Sequence, residues 1–351
     1  MPIRNRRALT RWLILKRNIL MKTLVTGGNG FVGSAVVREL AARGDDEVRV
    51  TLRQGSNTRN LDGLKVERSY ADIRDREAVK KALKGCQKLY HTAALYKTWL
   101  KDERELTQVN VEGTRIVLEE ALRVGVEKVV VTSSIAALGV RSDGKPSDEG
   151  VAFNLWDTTL SYELSKYEGE KVAWEFSERG LPLVVVRPSL VLGDSDIYPT
   201  PSGQMVLDIL NRKYLVYLEG GINVVDVKDV AIGHILAMEK GRAGESYNLG
   251  NNHNNTSLKE LFSLIAGEGG VTPPLFKIPY PLARGFSYAC LFIADHITHT
   301  PPFLDPGALE VLHLFKKMDS SKAIKELGLP QTPLRETVRK TVSWYRENGY
   351  V

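Results

Sequence analysis

Cysteine is nearly absent from this chain of 351 residues, which holds only Cys86 and Cys290. Two cysteines make neither a disulfide framework nor a zinc centre, so a reducing compartment, a cytoplasmic location and no metal site are expected. No apolar stretch approaches the roughly 20 residues of a membrane-spanning helix, and no integral membrane segment is expected. A charge excess of one sign is missing from most of the chain. The formal +6 resides in Arg4, Arg6, Arg7, Arg11, Lys16 and Arg17, and the residues after them carry 42 bases against 42 acids. A neutral body has no basic face for phosphates, so no nucleic-acid partner is expected. The first twenty residues also lack any acid or serine. Trp12-Leu13-Ile14-Leu15 is too short for a signal peptide, and a transit peptide would carry serine. Met21 directly precedes the first credible strand. Residues 1–20 therefore read as a basic leader outside the fold, either a targeting segment or an extension ahead of the true start.

What is present is a hydrophobic content of 43%, enough for a full core. Short β-branched runs alternate with longer amphipathic ones, the pattern of βαβ units on a parallel sheet. Strands are predicted at 22–26, 47–52, 65–68, 89–92, 128–132 and 183–186, and helices at 31–43, 77–84, 103–124 and 161–179. The runs at 128–132 and 183–186 are almost wholly apolar, as expected of strands covered on both faces. After Arg187-Pro188, Pro, Gly and polar residues become frequent. Asn223–Val227, Val230–Lys240 and Ser246–Leu249 read as a return to the main sheet, and the remainder as mainly helical. Phe286–Ala294 reads as buried helix packing. No internal repeat is present.

Thr26-Gly27-Gly28-Asn29-Gly30-Phe31-Val32-Gly33 joins the first strand to the first helix. It fits G-x-G-x-x-G through Gly28, Gly30 and Gly33, and G-x-x-G-x-x-G through Gly27, Gly30 and Gly33. Such glycines turn tightly, admit a pyrophosphate to the backbone and let the helix pack on the strand, while the helix N-terminus supplies amide donors. Residues 21–188 and 222–250 are accordingly expected to form a doubly wound α/β dinucleotide-binding (Rossmann) domain. Residues 189–221 and 251–351 are expected to form a smaller substrate domain. An acid at the end of the second strand would hold the ribose hydroxyl of NAD. Here that strand ends Val50-Thr51-Leu52-Arg53, and a guanidinium suits a 2′-phosphate. NADP(H) is the favoured cofactor, NAD(H) the other candidate, with Arg59 as a helper.

Tyr162-Glu163-Leu164-Ser165-Lys166 sets a phenol and an ammonium one helical turn apart. A nearby cation lowers a phenol's pKa and fits it for proton transfer. Ser133-Ser134 follows the 128–132 strand at the carboxyl edge of the inferred sheet, where ligands of open α/β sheets bind. A hydroxyl there holds a substrate oxygen beside the tyrosine. Asn110, in the long helix, is placed to support a water relay to Lys166.

The segments TGGNGFVG, ADI, HTAA, QVNVEGT, VVVTSSIA, YELSK and VVRPS stand in the order found in extended short-chain dehydrogenases/reductases. From Met21 onward the chain resembles that family, and within it the dihydroflavonol-reductase-like branch, particularly bacterial proteins labelled hopanoid-associated sugar epimerase. The resemblance implies that Ser134 positions a carbonyl, with Ser133 as its substitute, that Tyr162 transfers the proton, and that Lys166 lowers its pKa and binds nicotinamide ribose. It implies that Asp72 and Ile73 flank adenine, that Ala93 and Ala94 pack near the cofactor, and that Pro188 borders the nicotinamide. It also implies a small-molecule carbonyl or sugar substrate, and a homodimer as in many relatives. Dehydratases of the family place an acid after the active hydroxyl, whereas Ser134-Ile135-Ala136 has none. Its sugar epimerases often carry an arginine ahead of the Val-x-Asp-Val strand, which Gly220–Val227 lacks. Carbonyl reduction is therefore the expected activity; sugar epimerisation, hydroxysteroid oxidation and a silent NADP(H)-binding regulator are the alternatives. The substrate pocket is expected from Tyr96, Trp99, the Tyr198 loop and C-terminal helices.

Overall fold

The computed structural model describes residues 21–44, 46–97, 99–156 and 161–351, and the basic leader lies outside them. Seven parallel strands form the central sheet: β1 (Met21–Thr26), β2 (Asp46–Leu52), β3 (Glu67–Tyr70), β4 (Lys88–His91), β5 (Lys128–Thr132), β6 (Leu183–Pro188) and β10 (Ser246–Leu249). Their spatial order is β10-β6-β5-β4-β1-β2-β3, so strand order reverses between β1 and β4. A crevice opens at such a reversal, at the carboxyl ends of the strands.

Period-two alternation divides the strand side chains between two cores. Val25, Val130, Val184 and Val186 face α1 (Phe31–Arg43) and α7 (Val227–Lys240). Leu24, Val129, Val131, Leu183 and Val185 face α4 (Thr114–Val124) and α5 (Ser161–Glu178). Both faces are therefore dry, which explains the continuous apolar runs. β3 is an edge strand with mostly exposed side chains, and it begins two residues later than its sequence suggests because no alternation marks it.

The long helix expected at 103–124 begins as α3 (Arg104–Thr107), passes through a π-turn at Gln108–Gly113 and continues as α4. π-turns concentrate at functional sites, and this one carries Asn110.

One segment departs from expectation. The strand expected at 223–227 is β9 (Gly221–Asp226), and it does not rejoin the main sheet. It pairs in parallel with β7 (Leu190–Leu192) and antiparallel with β11 (Asn255–Ser257). β10 already occupies the free edge of β6, in the register Ser246 to Val185, so β9 has no place there. Around this small sheet, α6 (Pro201–Leu210), α8 (Leu258–Gly269) and α11 (Leu334–Glu347) build a third core containing Val206, Leu261, Ile265 and Val338.

Between them, β8 (Val216–Tyr217) pairs with β12 (Phe276–Lys277), and α9 (Tyr280–Ile293) packs on α10 (Pro306–His313). The apolar run 286–294 proves to be largely exposed rather than buried. Small residues, Ala283, Ser287 and Ala294, face inward, while Leu282, Phe286, Phe292 and Ile293 face out. Periodicity locates an apolar helix but does not say which of two non-polar faces is covered.

Candidate active site

At the switch point a cleft of about 740 Å³ runs from the glycine turn to the C-terminal layer, within the range of a ligand cavity. Its first wall is backbone. Gly27 sits in the left-handed region at φ +66°, donates its N–H to Thr51 Oγ1 at 3.1 Å and accepts from Gly30 N at 3.0 Å. A Cβ on Gly27 would lie 2.8 Å from Ala93 Cα, and one on Gly33 only 2.3 Å from the Gly27 oxygen. Gly28 instead abuts Val50 and does not line the cleft, whereas Gly27, Gly30 and Gly33 do. Gly30 caps α1 without a side chain, leaving the first-turn amides of Phe31 and Val32 for an anion. A cradle that any Cβ would fill is what a dinucleotide pyrophosphate needs, and these residues fit one.

Beyond it lie Arg53, exposed at the end of β2, and the turn after β3 with Asp72, Ile73 and Arg74. Asp72 accepts two bonds from the Arg74 guanidinium, at 2.9 and 2.7 Å, which hold its carboxyl below the usual range. Arg59 does not assist: its Nη2 donates to Asn348 Oδ1 at 2.6 Å, and it does not line the cleft. Arg74, Ser56 and Asn57 do. They stand in short polar turns with no motif to mark them.

On the other side of the switch point, β5 ends at Thr132 and delivers Ser133 and Ser134. Ser133 Oγ donates to Glu170 Oε2 at 2.5 Å, and Glu170 is also held by Arg187 and by Trp174 Nε1. Ser133 is therefore structural and does not replace Ser134. Ser134 caps a short turn by accepting from Ala136 N at 3.1 Å and lines the cleft together with the Tyr162 phenol. Tyr96 lies against that phenol, ring centroids 4.7 Å apart.

The sequence suggests a phenol acidified by Lys166. Here desolvation dominates: burial, then Tyr96 and Glu163, hold Tyr162 above its ordinary value against the opposing pull of the Ser134 hydroxyl. Lys166 donates to the Thr132 carbonyl at 2.9 Å, and burial pushes it down to about 8 while Glu170 opposes.

Asn110 Oδ1 accepts from Leu95 N at 2.7 Å, and its Nδ2 donates to Leu95 O and Ser165 Oγ. It ties the cleft wall to α5. Its own carbonyl oxygen would lie 2.5 Å from a Cβ on Gly169, so α5 packs directly on the π-turn. No bond from this amide to Lys166 is present. Ala93, Ala94 and Pro188 line the centre of the cleft.

The inner chamber is formed by Tyr96, Glu163, Thr200, Ile222, Val311 and Lys316, with Tyr198 at its rim. Trp99 is elsewhere, donating to Asp295 Oδ1 at 2.9 Å. Burial lifts Glu163 to about 7 against the attraction of Lys316, and lowers Lys316 to about 8.

A doubly wound sheet with a glycine cradle beside a Ser-Tyr-Lys cluster defines a nucleotide-dependent oxidoreductase. Residues 23–250 match the model of the NAD dependent epimerase/dehydratase family, and the chain belongs to that family, the extended short-chain dehydrogenases/reductases. A putative dihydroflavonol 4-reductase of Synechocystis sp. is 36% identical over 332 residues, covering 93% of this chain and 95% of the relative. Sterol demethylase protein B of Methylococcus capsulatus is 35% identical, covering 94% and 100%. Among solved structures, a nucleoside-diphosphate-sugar epimerase from Pseudomonas aeruginosa superposes with a TM-score of 0.79 at 27% identity, covering 94% and 99%. Relatives thus include both reductases and epimerases, and fold alone does not choose between them.

Proposed function

We propose that the protein reduces a carbonyl compound to an alcohol with NADPH. The observation that carries this reading is a single cleft lined both by Ser134, Tyr162 and Lys166, at the carboxyl edge of the sheet, and by the Gly27, Gly30 and Gly33 cradle. Gly27, Gly30, Phe31, Val32 and Gly33 would hold the pyrophosphate, and Asp72 and Ile73 would flank the adenine. Arg53 would take the 2′-phosphate, because β2 ends without a carboxylate. Bound NADPH supplies a hydride to the carbonyl carbon.

The chain's own residues do the rest. Ser134 donates to the substrate oxygen and fixes it beside the phenol. Tyr162, held above its ordinary pKa by burial, keeps its proton until negative charge develops on that oxygen, then donates it. Lys166, anchored on Thr132, presents a cation one turn from Tyr162 and steadies the resulting phenolate. The hydroxysteroid reading uses the same group in reverse and differs only in substrate. Epimerisation of a nucleotide sugar is disfavoured because the buried strand β9, Gly221–Asp226, offers no arginine to the diphosphate. Spectrophotometric assay of NADPH consumption against aldehydes, ketones, dihydroflavonols and steroids tests the reading, with nucleotide sugars assayed for isomer formation. Net oxidation of NADPH by a carbonyl compound is expected. Isomer formation with a cofactor that does not exchange would overturn it.

A further inference from the structure

The inner chamber contains a buried cation that the hydride chemistry does not use. Lys316 is 2% exposed yet lines the cleft. Among the described residues, its Nζ makes only long contacts, 3.5 and 3.4 Å, to the carbonyls of Ile135 and Ala136. Glu163, the acid whose charge acts on it, forms no ion pair with it among the described residues. A buried ammonium without a close counter-charge is costly, and it persists only where something makes use of it. The two carbonyls belong to the turn capped by Ser134, so the cation and the carbonyl-binding hydroxyl flank the same three residues.

We propose that Lys316 is an anion-recognition residue and that the substrate carries a carboxylate within a few bonds of the carbonyl held by Ser134 and Tyr162. This rests on the reductase reading and names its substrate class. A single buried positive charge matches a single negative one; a diphosphate brings more charge than one ammonium meets. The neighbouring walls, Ile135, Ile222 and Val311, are apolar and suit the hydrocarbon body of such a substrate. Glu163 faces Lys316 and Asp305, and it repels the incoming anion whenever it is ionised.

The test compares 3-carboxybenzaldehyde with its methyl ester as substrates, and benzoate with benzamide as ligands of the NADP⁺-loaded protein by calorimetry. The wild type should prefer the acid at least tenfold in kcat/KM and bind benzoate at least tenfold more tightly than benzamide. Lys316→Met should bring both ratios to one or below, and Lys316→Arg should retain part of each. Because each ratio is taken within one variant, general losses cancel. Lys316→Gln repeats the measurement if the methionine variant melts early. Turnover with no acid preference, or a preference that survives Lys316→Met, overturns the proposal. UDP-glucose displacing benzoate from the wild type but not binding Lys316→Met also overturns it, in favour of a diphosphate grip. If no aldehyde is turned over while the benzoate preference still vanishes in Lys316→Met, the anion site stands and the reductase reading falls.

Discussion

The two ends of the cleft are built from different materials. The glycine end is backbone: its shape is set by amides and by the absence of side chains at 27, 30 and 33, within seven consecutive residues. The chamber end is made of side chains brought from the 93–97 loop, α5, the turn ahead of α6, β9, α10 and the segment after it, and it contains buried ionisable groups. The first comes from one short local motif, whereas the second is assembled from across the whole chain. On the proposed function, chemistry and substrate choice would reside in side chains, and pyrophosphate binding in the space that the glycines leave.

That contrast can be broken most directly at Tyr162. Tyr162→Phe removes the proton donor but no part of the cradle. Turnover should fall about 10³-fold, within the range for general acid catalysis, while NADPH affinity by calorimetry stays within about twofold. A large loss of cofactor affinity would mean that the two ends are not separable. Gly33→Ala tests the other end. Its Cβ would be driven against Gly27 O and Thr92 Oγ1, at 2.3 and 2.6 Å, so NADPH should bind about 10–100-fold more weakly, the equivalent of roughly 1–3 kcal/mol of overpacking. The kcat measured at saturating cofactor should change far less. Arg53→Asp is milder, since the guanidinium is exposed. The KM ratio of NADPH to NADH should rise about tenfold, and an equal effect on both cofactors would reject Arg53 as the phosphate ligand.

Legibility in the sequence followed the same division. The cradle could be read because its requirement is local: a strand, three glycines and a helix. The Tyr-x-x-x-Lys pair was legible for the same reason, as one helical turn. Ser133 and Ser134 could not be separated by pattern, because only the pairing of Ser133 with Glu170, 37 residues away, decides between them. Arg59 looked like a phosphate ligand until the C-terminal Asn348 claimed it. Lys316 left no signal at all, since a lysine beside Lys317 reads as solvated surface. Its burial depends on the 135–137 turn, some 180 positions earlier. Edge strand β3 and the outward apolar face of α9 were misjudged because no periodicity says which neighbour will arrive. The sites that pattern reading misses here are those whose partners are distant in the chain.

The finest test concerns pH, and it separates catalysis from stability. Burial sets Lys166 at about 8, below its ordinary 10.5, whereas Tyr162 is moved upward. As pH rises through 8, the ammonium is lost before the phenol ionises, so kcat/KM for reduction should be flat below that point and about tenfold lower one unit above it. The folded chain binds fewer protons at Lys166 than the unfolded chain does between about 8 and 10.5. This lysine therefore contributes increasing stability with pH across the window in which activity declines. Thermal melting at pH 9 should show no loss attributable to it. Lys166→Arg keeps a positive charge throughout and should shift the descending limb upward, at reduced overall rate. An unchanged limb in that variant would assign the titration to another group. Lys316 is the alternative, and the same profile measured in Lys316→Gln distinguishes the two, because a limb set by Lys166 survives that substitution.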